Sequence, residues 1–286
     1  MNSLLPSDHP LALARSFLFV PGDRPERLPR ALAAGSGAVV VDLEDAVSPL
    51  SKVKARALLA EAFASLGAPD RQRVLVRVNA AGTPWLADDR DLVASLATNG
   101  LGGAMLPKAE HPDDLAALAV VVGAGVVIPL IESAKGIYAL DAICRVARVV
   151  RVAFGHLDFQ VDLGMACGPD EQELVPVRST LVLASRNAGI ASPIEGVTVD
   201  WKDTERLERD ALRARRAGFG AKLCIHPEQV PIVARALGPT TVELDWAARV
   251  LAAWQASDGG VVNLDGRMVD APVVQLARRL VALGAA

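Results

Sequence analysis

The chain has 286 residues, 51% of them hydrophobic and 22% charged, enough for one large core or two smaller ones. A formal net charge of −3 and a pI near 5.9 leave no basic footprint for nucleic acid, and an aromatic content of 4% leaves few platforms for base stacking. Cys144, Cys167 and Cys224 are dispersed, with no CxxC pair or disulfide framework, which fits a reducing cytoplasm; residues 1–15 carry no basic run followed by a long apolar core, so neither a signal peptide nor a membrane span is expected.

Short apolar runs alternate with longer helical patterns. Strands are predicted over 16–20, 38–43, 74–78, 103–106, 126–131, 151–154, 192–197 and 221–225. Most are continuous apolar runs, as expected of strands buried on both faces. Helices are predicted over 24–34, 51–66, 85–98, 112–122, 133–146, 177–188 and 203–217, with Ser51 and Asp203 as N-caps and Gly189 and Gly218 as stops. Eight parallel strands with intervening helices predict a (β/α)8 barrel over residues 1–240. A doubly wound open sheet is the alternative. The tail, 241–286, adds helices over 242–255 and 271–283, a turn at Asp258-Gly259-Gly260, and a small hairpin or loop over 261–270. A closed barrel does not need this tail, so it must cover a face of its own barrel or pack on a neighbour.

In such a barrel the chemistry collects where the strands finish. The predicted strand ends here are polar: Asp42-Leu43-Glu44-Asp45, Arg77-Val78-Asn79, Pro107-Lys108, Glu132, Asp158, Glu195 and His226-Pro227. Any one of them alone reads as a surface loop residue; their coincidence on one rim does not. Glu132 and Asp158 end consecutive strands, and two hard oxygen ligands suit a divalent cation such as Mg2+. The plainer reading pairs these acids with Lys108 or Arg151. His156 is a poor candidate ligand, because the sequence has no clustered His and Cys. Arg77 closes an otherwise apolar strand, where a guanidinium needs an anion: a substrate carboxylate, a developing oxyanion, or Glu44 or Asp45. Arg24, Arg27 and Arg30 fall at helical spacing near a helix start, either as an anion site or as a solvated face.

Taken together, these residues resemble the citrate lyase β-subunit-like branch of the HpcH/HpaI aldolase family, which includes malyl-CoA and citramalyl-CoA lyases. The matching motifs are Arg15-Ser16-Phe17-Leu18-Phe19-Val20-Pro21-Gly22, Asp42-Leu43-Glu44-Asp45-Ala46-Val47, Arg77-Val78-Asn79, Leu106-Pro107-Lys108-Ala109-Glu110, Ile131-Glu132-Ser133-Ala134, Gly155 to Asp158, Ile225-His226-Pro227 and Met268-Val269-Asp270. The resemblance implies a (β/α)8 barrel assembled as a homotrimer or hexamer. It implies Mg2+ held by Glu132 and Asp158, and a substrate carboxylate met by Arg77. Arg24, Arg30, Leu157, Ile225 and His226 would then help bind a coenzyme A or acyl-carrier-protein thioester. Asp270 would complete a neighbouring subunit's site; capping the helix that starts at Ala271-Pro272 is the alternative role, and one residue could fill both.

The implied reaction is the reversible cleavage of a 3-hydroxy-acid thioester into an acyl thioester and a 2-oxo acid. Mg2+ would act as a Lewis acid and Arg77 would add positive charge at the forming alkoxide. Asp270 would handle the proton, with Glu44 or Asp45 orienting Asp270 or Arg77. The loop Met165-Ala166-Cys167-Gly168-Pro169-Asp170 departs from the family and leaves the acyl group open. The competing readings are a thioester hydrolase on the same barrel, a subunit acting only inside a citrate lyase complex, and a scaffold with a decayed site. No G-x-G-x-x-G follows the first strand, which argues against a dinucleotide enzyme.

Overall fold

The structure is a computed structural model that describes residues 9–257 and 260–285. Eight parallel strands close into a barrel in sequence order: β1 Ser16–Pro21, β2 Ala38–Asp42, β3 Val74–Arg77, β4 Gly103–Leu106, β5 Val126–Ile131, β6 Ala153–Phe154, β7 Ile194–Glu195 and β8 Ala221–Cys224. The doubly wound alternative therefore falls. Alternation along each strand divides the core in two. Phe17, Val40, Leu75, Met105, Ile128, Leu130, Ala153, Ile194 and Leu223 fill the barrel interior. Leu18, Val39, Val41, Val74, Val76, Ala104 and Phe154 face the surrounding helices.

The same parity decides what stands at the mouth. Two residues beyond interior Val40, Leu75, Leu130, Ala153 and Leu223 come Asp42, Arg77, Glu132, Gly155 and Ile225, so these continue the interior face upward. The opposite end is closed by the short helix Pro10–Leu13, whose Leu11 is buried. Arg151 ties that plug down: its guanidinium donates to the carbonyls of Leu11 (3.3 Å), Ala14 (2.7 Å) and Ser192 (2.7 Å). With no carboxylate bonded to it among the described residues, burial pushes its pKa down to about 9. Arg151 is thus far from Asp158 in role, serving the barrel floor.

Several elements differ from expectation for local reasons. The predicted strands 151–154 and 192–197 shrink to two residues each; Pro193 has no N–H for the ladder, and Gly196 lies just beyond. Residues 133–146 divide into Ala134–Tyr138 and Leu140–Cys144, and 24–34 starts with a 3-10 turn, Pro25–Arg27. Asp203 caps its helix by accepting from Arg206 N (2.9 Å), and Gly189 and Gly218 end theirs in the left-handed region, whereas Ser51 makes no capping bond.

Besides the four-residue helices Pro10–Leu13 and Ala68–Arg71, two longer helices among the described residues went unforeseen. His156–Leu163 alternates like a strand at Leu157, Phe159, Val161 and Leu163, yet only Phe159 of these is buried. Gln229–Leu237 was legible in the spacing of its buried Val230, Val233, Ala236 and Leu237.

The tail forms helix Thr241–Ala256, a hairpin of β9 Val262–Leu264 and β10 Arg267–Val269, and helix Ala271–Ala285. Thr240 and Glu243 make a capping box at its start. Asp265 and Gly266, both at positive φ, turn the hairpin. Of the turn expected at Asp258-Gly259-Gly260, Asp258 and Gly259 lie outside the described residues. Ala247, Val250, Val269, Val274 and Ala277 give the tail a small core of its own. It is fastened to the barrel by Arg215 to Glu243 (2.7 Å), Arg279 to Ser192 (3.3 Å) and Arg15 to the Leu283 carbonyl. Arg15 and Ser192 precede β1 and β7, so these anchors are at the end away from the mouth.

Candidate active site

A cavity of about 770 Å³ opens at the carboxyl ends of the strands, lined by Arg77, Glu132, Leu157 and Asp158 among others. Its electrostatic frame begins at β2 and β3. Asp42 and Arg77 are register partners, and the carboxylate takes both edges of the fork: Nε to Oδ1 at 2.7 Å and Nη2 to Oδ2 at 2.6 Å. Asp42 also accepts from the backbone N–H groups of Glu44 (2.8 Å) and Ala46 (3.0 Å), which bends the chain back over the mouth. Arg77 Nη1 then faces Glu44 (2.9 Å) and Asp45 (3.6 Å). Burial works against the Arg77 charge, but Asp42 outweighs it and the pKa rises. The expected ion pairs with Glu44 and Asp45 both exist. The main partner, Asp42, stands two positions before the nearer of them.

Beneath this loop is a buried polar support. The Lys52 ammonium donates to the carbonyls of Leu43 (2.7 Å) and Glu44 (2.7 Å) and to Asn79 Oδ1 (2.6 Å), and Asn79 donates onward to Asp89 (2.6 Å). Asn79 of the Arg77-Val78-Asn79 motif is therefore structural, as are Lys52 and Asp89, which the sequence reading did not single out.

Glu132, 3% exposed, rises from β5. Its Oε1 accepts from the Lys108 N–H at 2.6 Å, and the Lys108 ammonium lies 4.0 Å from the same oxygen while bonding Glu44 Oε1 at 3.0 Å. Lys108 adopts φ 46°, a left-handed conformation uncommon for a residue with a side chain and frequent at functional sites. Burial, then repulsion from Glu44, pushes the Glu132 carboxyl up to about 8; Lys108 opposes this and Asp158 adds to it. Burial likewise raises Glu44. Asp158 sits exposed in the first turn of helix His156–Leu163, on the same cavity wall.

The far wall carries Ile225 and His226. Buried Gln229 accepts from both of their N–H groups, at 2.8 and 3.3 Å. The His226 ring stacks on Trp201, with centroids 3.8 Å apart and planes at 20°, and its Nδ1 accepts from Glu228 N at 3.3 Å. Trp201 escaped the sequence reading, since nothing in its neighbourhood foretells a partner 25 positions away.

The predicted residues divide as follows. Arg30, Asp45, Arg77, Glu132, Leu157, Asp158, Ile225 and His226 line the cavity. Glu44 stands behind Arg77 and Lys108. Arg24 is exposed and outside the lining; the 3-10 turn at Pro25 takes it off the helix, and Arg27 lines the cavity with Arg30. Glu195 was expected on the rim, but Ile194 occupies the interior parity and turns Glu195 outward. There Arg178 holds it (2.8 Å), and the same guanidinium bonds Glu171. Residues 165–170 contribute nothing to the lining. Asp270 also lies outside it: its Oδ1 accepts from Val273 N at 3.3 Å, so within its own chain it caps the last helix. His156 lines the cavity as a buried ring whose pKa burial lowers, with Nδ1 packed against Gly196.

The acids present fit a hard cation. Glu132 Oε2 accepts no hydrogen bond among the described residues, and repulsion between acidic neighbours is what an added positive charge would relieve. Among the described residues no three His, Cys, Asp or Glu side chains gather as a metal cage. Two carboxylates leaving room for water and substrate oxygens match the preference of Mg2+.

Comparison with known proteins agrees with this architecture. The HpcH/HpaI aldolase/citrate lyase family matches residues 15–227. A citrate lyase subunit beta-like protein of Mycobacterium tuberculosis is 36% identical over 274 residues, covering 94% of this chain and 95% of its own. A (3S)-malyl-CoA thioesterase of Cereibacter sphaeroides is 30% identical over 271 residues, covering 94% and 93%. The crystal structure of CitE from M. tuberculosis in complex with magnesium, acetoacetate and coenzyme A superposes with a TM-score of 0.80 at 34% identity, covering 96% of this chain and 100% of that one. By the matched span, the barrel and these relatives, the chain belongs to the HpcH/HpaI aldolase/citrate lyase family.

Proposed function

We propose that this protein is a Mg2+-dependent carbon–carbon lyase acting on a coenzyme A thioester of a 3-hydroxy acid, of malyl, citramalyl or citryl type. The observation that carries the reading is the joint placement of Arg77, Glu132 and Asp158 on one cavity. Glu132 and Asp158 would hold the ion, which when bound supplies Lewis-acid polarisation of a 2-oxo acid's oxygens. Arg77, locked by Asp42, keeps its Nη1 edge toward the acidic side of the mouth and is pre-organised for negative charge developing on a substrate oxygen. Arg27 and Arg30 give the mouth cationic groups for the phosphates of coenzyme A, and the fixed His226 ring gives it an apolar wall. The relative solved with magnesium, acetoacetate and coenzyme A supports this assignment of the ligands.

In this reading residues 241–286 act on a neighbour. The tail's anchors lie away from the mouth, so Asp270 would serve as proton-transfer group in the next subunit of a homotrimer or hexamer. The test is direct: pure protein with Mg2+ is offered malyl-, citramalyl- and citryl-CoA, and the products are identified by mass. An acyl-CoA plus a 2-oxo acid is the expected result. Free coenzyme A with an intact hydroxy acid would instead establish thioester hydrolysis, the second reading, which the relatives named (3S)-malyl-CoA thioesterase favour. Turnover of carrier-protein thioesters alone would place the protein inside a lyase complex.

A further inference from the structure

We propose that Lys108 and Gly155 are positioning residues that fix Glu132 from two sides, so that it offers its Oε2 oxygen to a cation. This rests on the metal reading above, and concerns how the ligand is set. On one side, the Lys108 N–H holds Oε1 at 2.6 Å. The bond exists because the Lys108 backbone turns at φ 46°, a conformation that a β-branched residue strongly resists. On the other side is Gly155. Register pairing of Ile131 with Phe154 sets Gly155 beside Glu132 on the interior face. A Cβ built on Gly155 would lie 2.5 Å from Glu132 Oε2 and 2.8 Å from its Cβ. The glycine is not needed for backbone freedom, because its φ of −89° and ψ of 70° lie outside the left-handed region that favours glycine. What it provides is the space that the carboxylate occupies.

The two devices divide the carboxylate. Oε1 is committed to the backbone of the β4 loop, while Oε2 accepts no hydrogen bond among the described residues. A substitution at Gly155 must therefore displace the ligating group itself, whereas loss of the Lys108 side chain removes its ion pair with Glu44 but leaves the N–H bond to Oε1 in place so long as the backbone keeps the left-handed turn. Groups that orient a metal ligand commonly alter affinity by about 10- to 100-fold when lost.

Mg2+ binding is measured by isothermal titration on purified wild type, Gly155→Ala, Lys108→Gly and Lys108→Val, with far-UV circular dichroism and melting of the metal-free proteins as the control for folding. Gly155→Ala is expected to fold and to bind Mg2+ about tenfold more weakly. Lys108→Gly and Lys108→Val both lose the ammonium, yet only the valine resists the required turn, so Lys108→Val is expected to bind at least about fivefold more weakly than Lys108→Gly. Wild-type affinity in Gly155→Ala, or equal affinities of the two Lys108 variants, would overturn the positioning role. Wild-type protein that binds no Mg2+ would overturn the proposed function as well, so the two failures are told apart by the wild-type titration.

Discussion

Asp42 and Arg77 face each other across β2 and β3 as register partners, and the carboxylate meets the guanidinium through both of its oxygens at 2.7 and 2.6 Å. The pair sits at the mouth with side chains 3% and 11% exposed, so neither charge has water to fall back on. Breaking such a pair leaves an uncompensated buried charge, at a cost of about 3 kcal/mol. Asp42→Ala is therefore expected to lower the melting temperature by several degrees and to abolish turnover. Arg77→Lys keeps the charge but loses the fork, and is expected to reduce kcat by about 100-fold with a smaller effect on melting. Unchanged kcat in Arg77→Lys would show that the fork geometry is not used in the reaction.

Glu132 predicts how metal-free stability depends on pH. In the folded chain its proton is held to about pH 8, and in the unfolded chain it leaves near 4.5. The folded state binds more protons between these values, so this group's penalty is absent below about pH 4.5 and grows as pH rises toward 8. Metal-free Glu132→Gln should thus melt about 5 °C above wild type at pH 8.5 and close to it at pH 5. Added Mg2+ should raise the wild-type melting temperature and leave the variant unmoved. A variant less stable than wild type at pH 8.5 would contradict the electrostatic account.

The same carboxyl makes metal binding compete with a proton. Apparent Mg2+ affinity is expected to fall as pH drops below about 8, by roughly tenfold per unit. Titration calorimetry in buffers of different ionisation enthalpy should detect close to one proton released per ion at pH 7. Binding without proton release would mean that Glu132 is already ionised there.

Trp201 backs the His226 ring at 3.8 Å without itself lining the cavity. An aromatic contact of this kind contributes about 1 kcal/mol. Trp201→Ala is expected to raise KM for a coenzyme A thioester about fivefold while leaving kcat close to wild type. A fall in kcat at constant KM would assign the stack to chemistry instead of binding.

Asp270 separates two roles by substitution. Asparagine caps helices as well as aspartate does, so Asp270→Asn should keep the wild-type melting temperature, while Asp270→Ala should cost about 1 kcal/mol. Both should be inactive on the proposed function. If the tail completes a neighbour's site, co-assembling inactive Glu132→Ala with inactive Asp270→Asn should restore about a quarter of the wild-type activity, since only one neighbour pairing in four carries both groups. No recovery in mixed oligomers would confine the site to a single chain.

How much of this was legible beforehand depended on the range of the interaction concerned. The eight apolar runs, the glycine stops at Gly189 and Gly218 and the cap at Asp203 rest on local propensity, and residue order displays local propensity directly. Polar residues closing apolar strands were legible too, because a period of two carries an interior position into the mouth. Helix His156–Leu163 was not, since its alternation mimics a strand and only packing against the barrel decides its burial.

The sequence by itself therefore determined the barrel and several of the polar residues raised to its rim, Arg77, Glu132 and Asp158 among them. Only the tertiary structure decided how they are partnered. It gave Arg77 to Asp42 through strand register, turned Glu195 outward to Arg178, placed Trp201 against His226, and left Gly155 bare where Glu132 needs room. These pairings depend on closing the sheet, which sets distant segments side by side at distances that no linear spacing records.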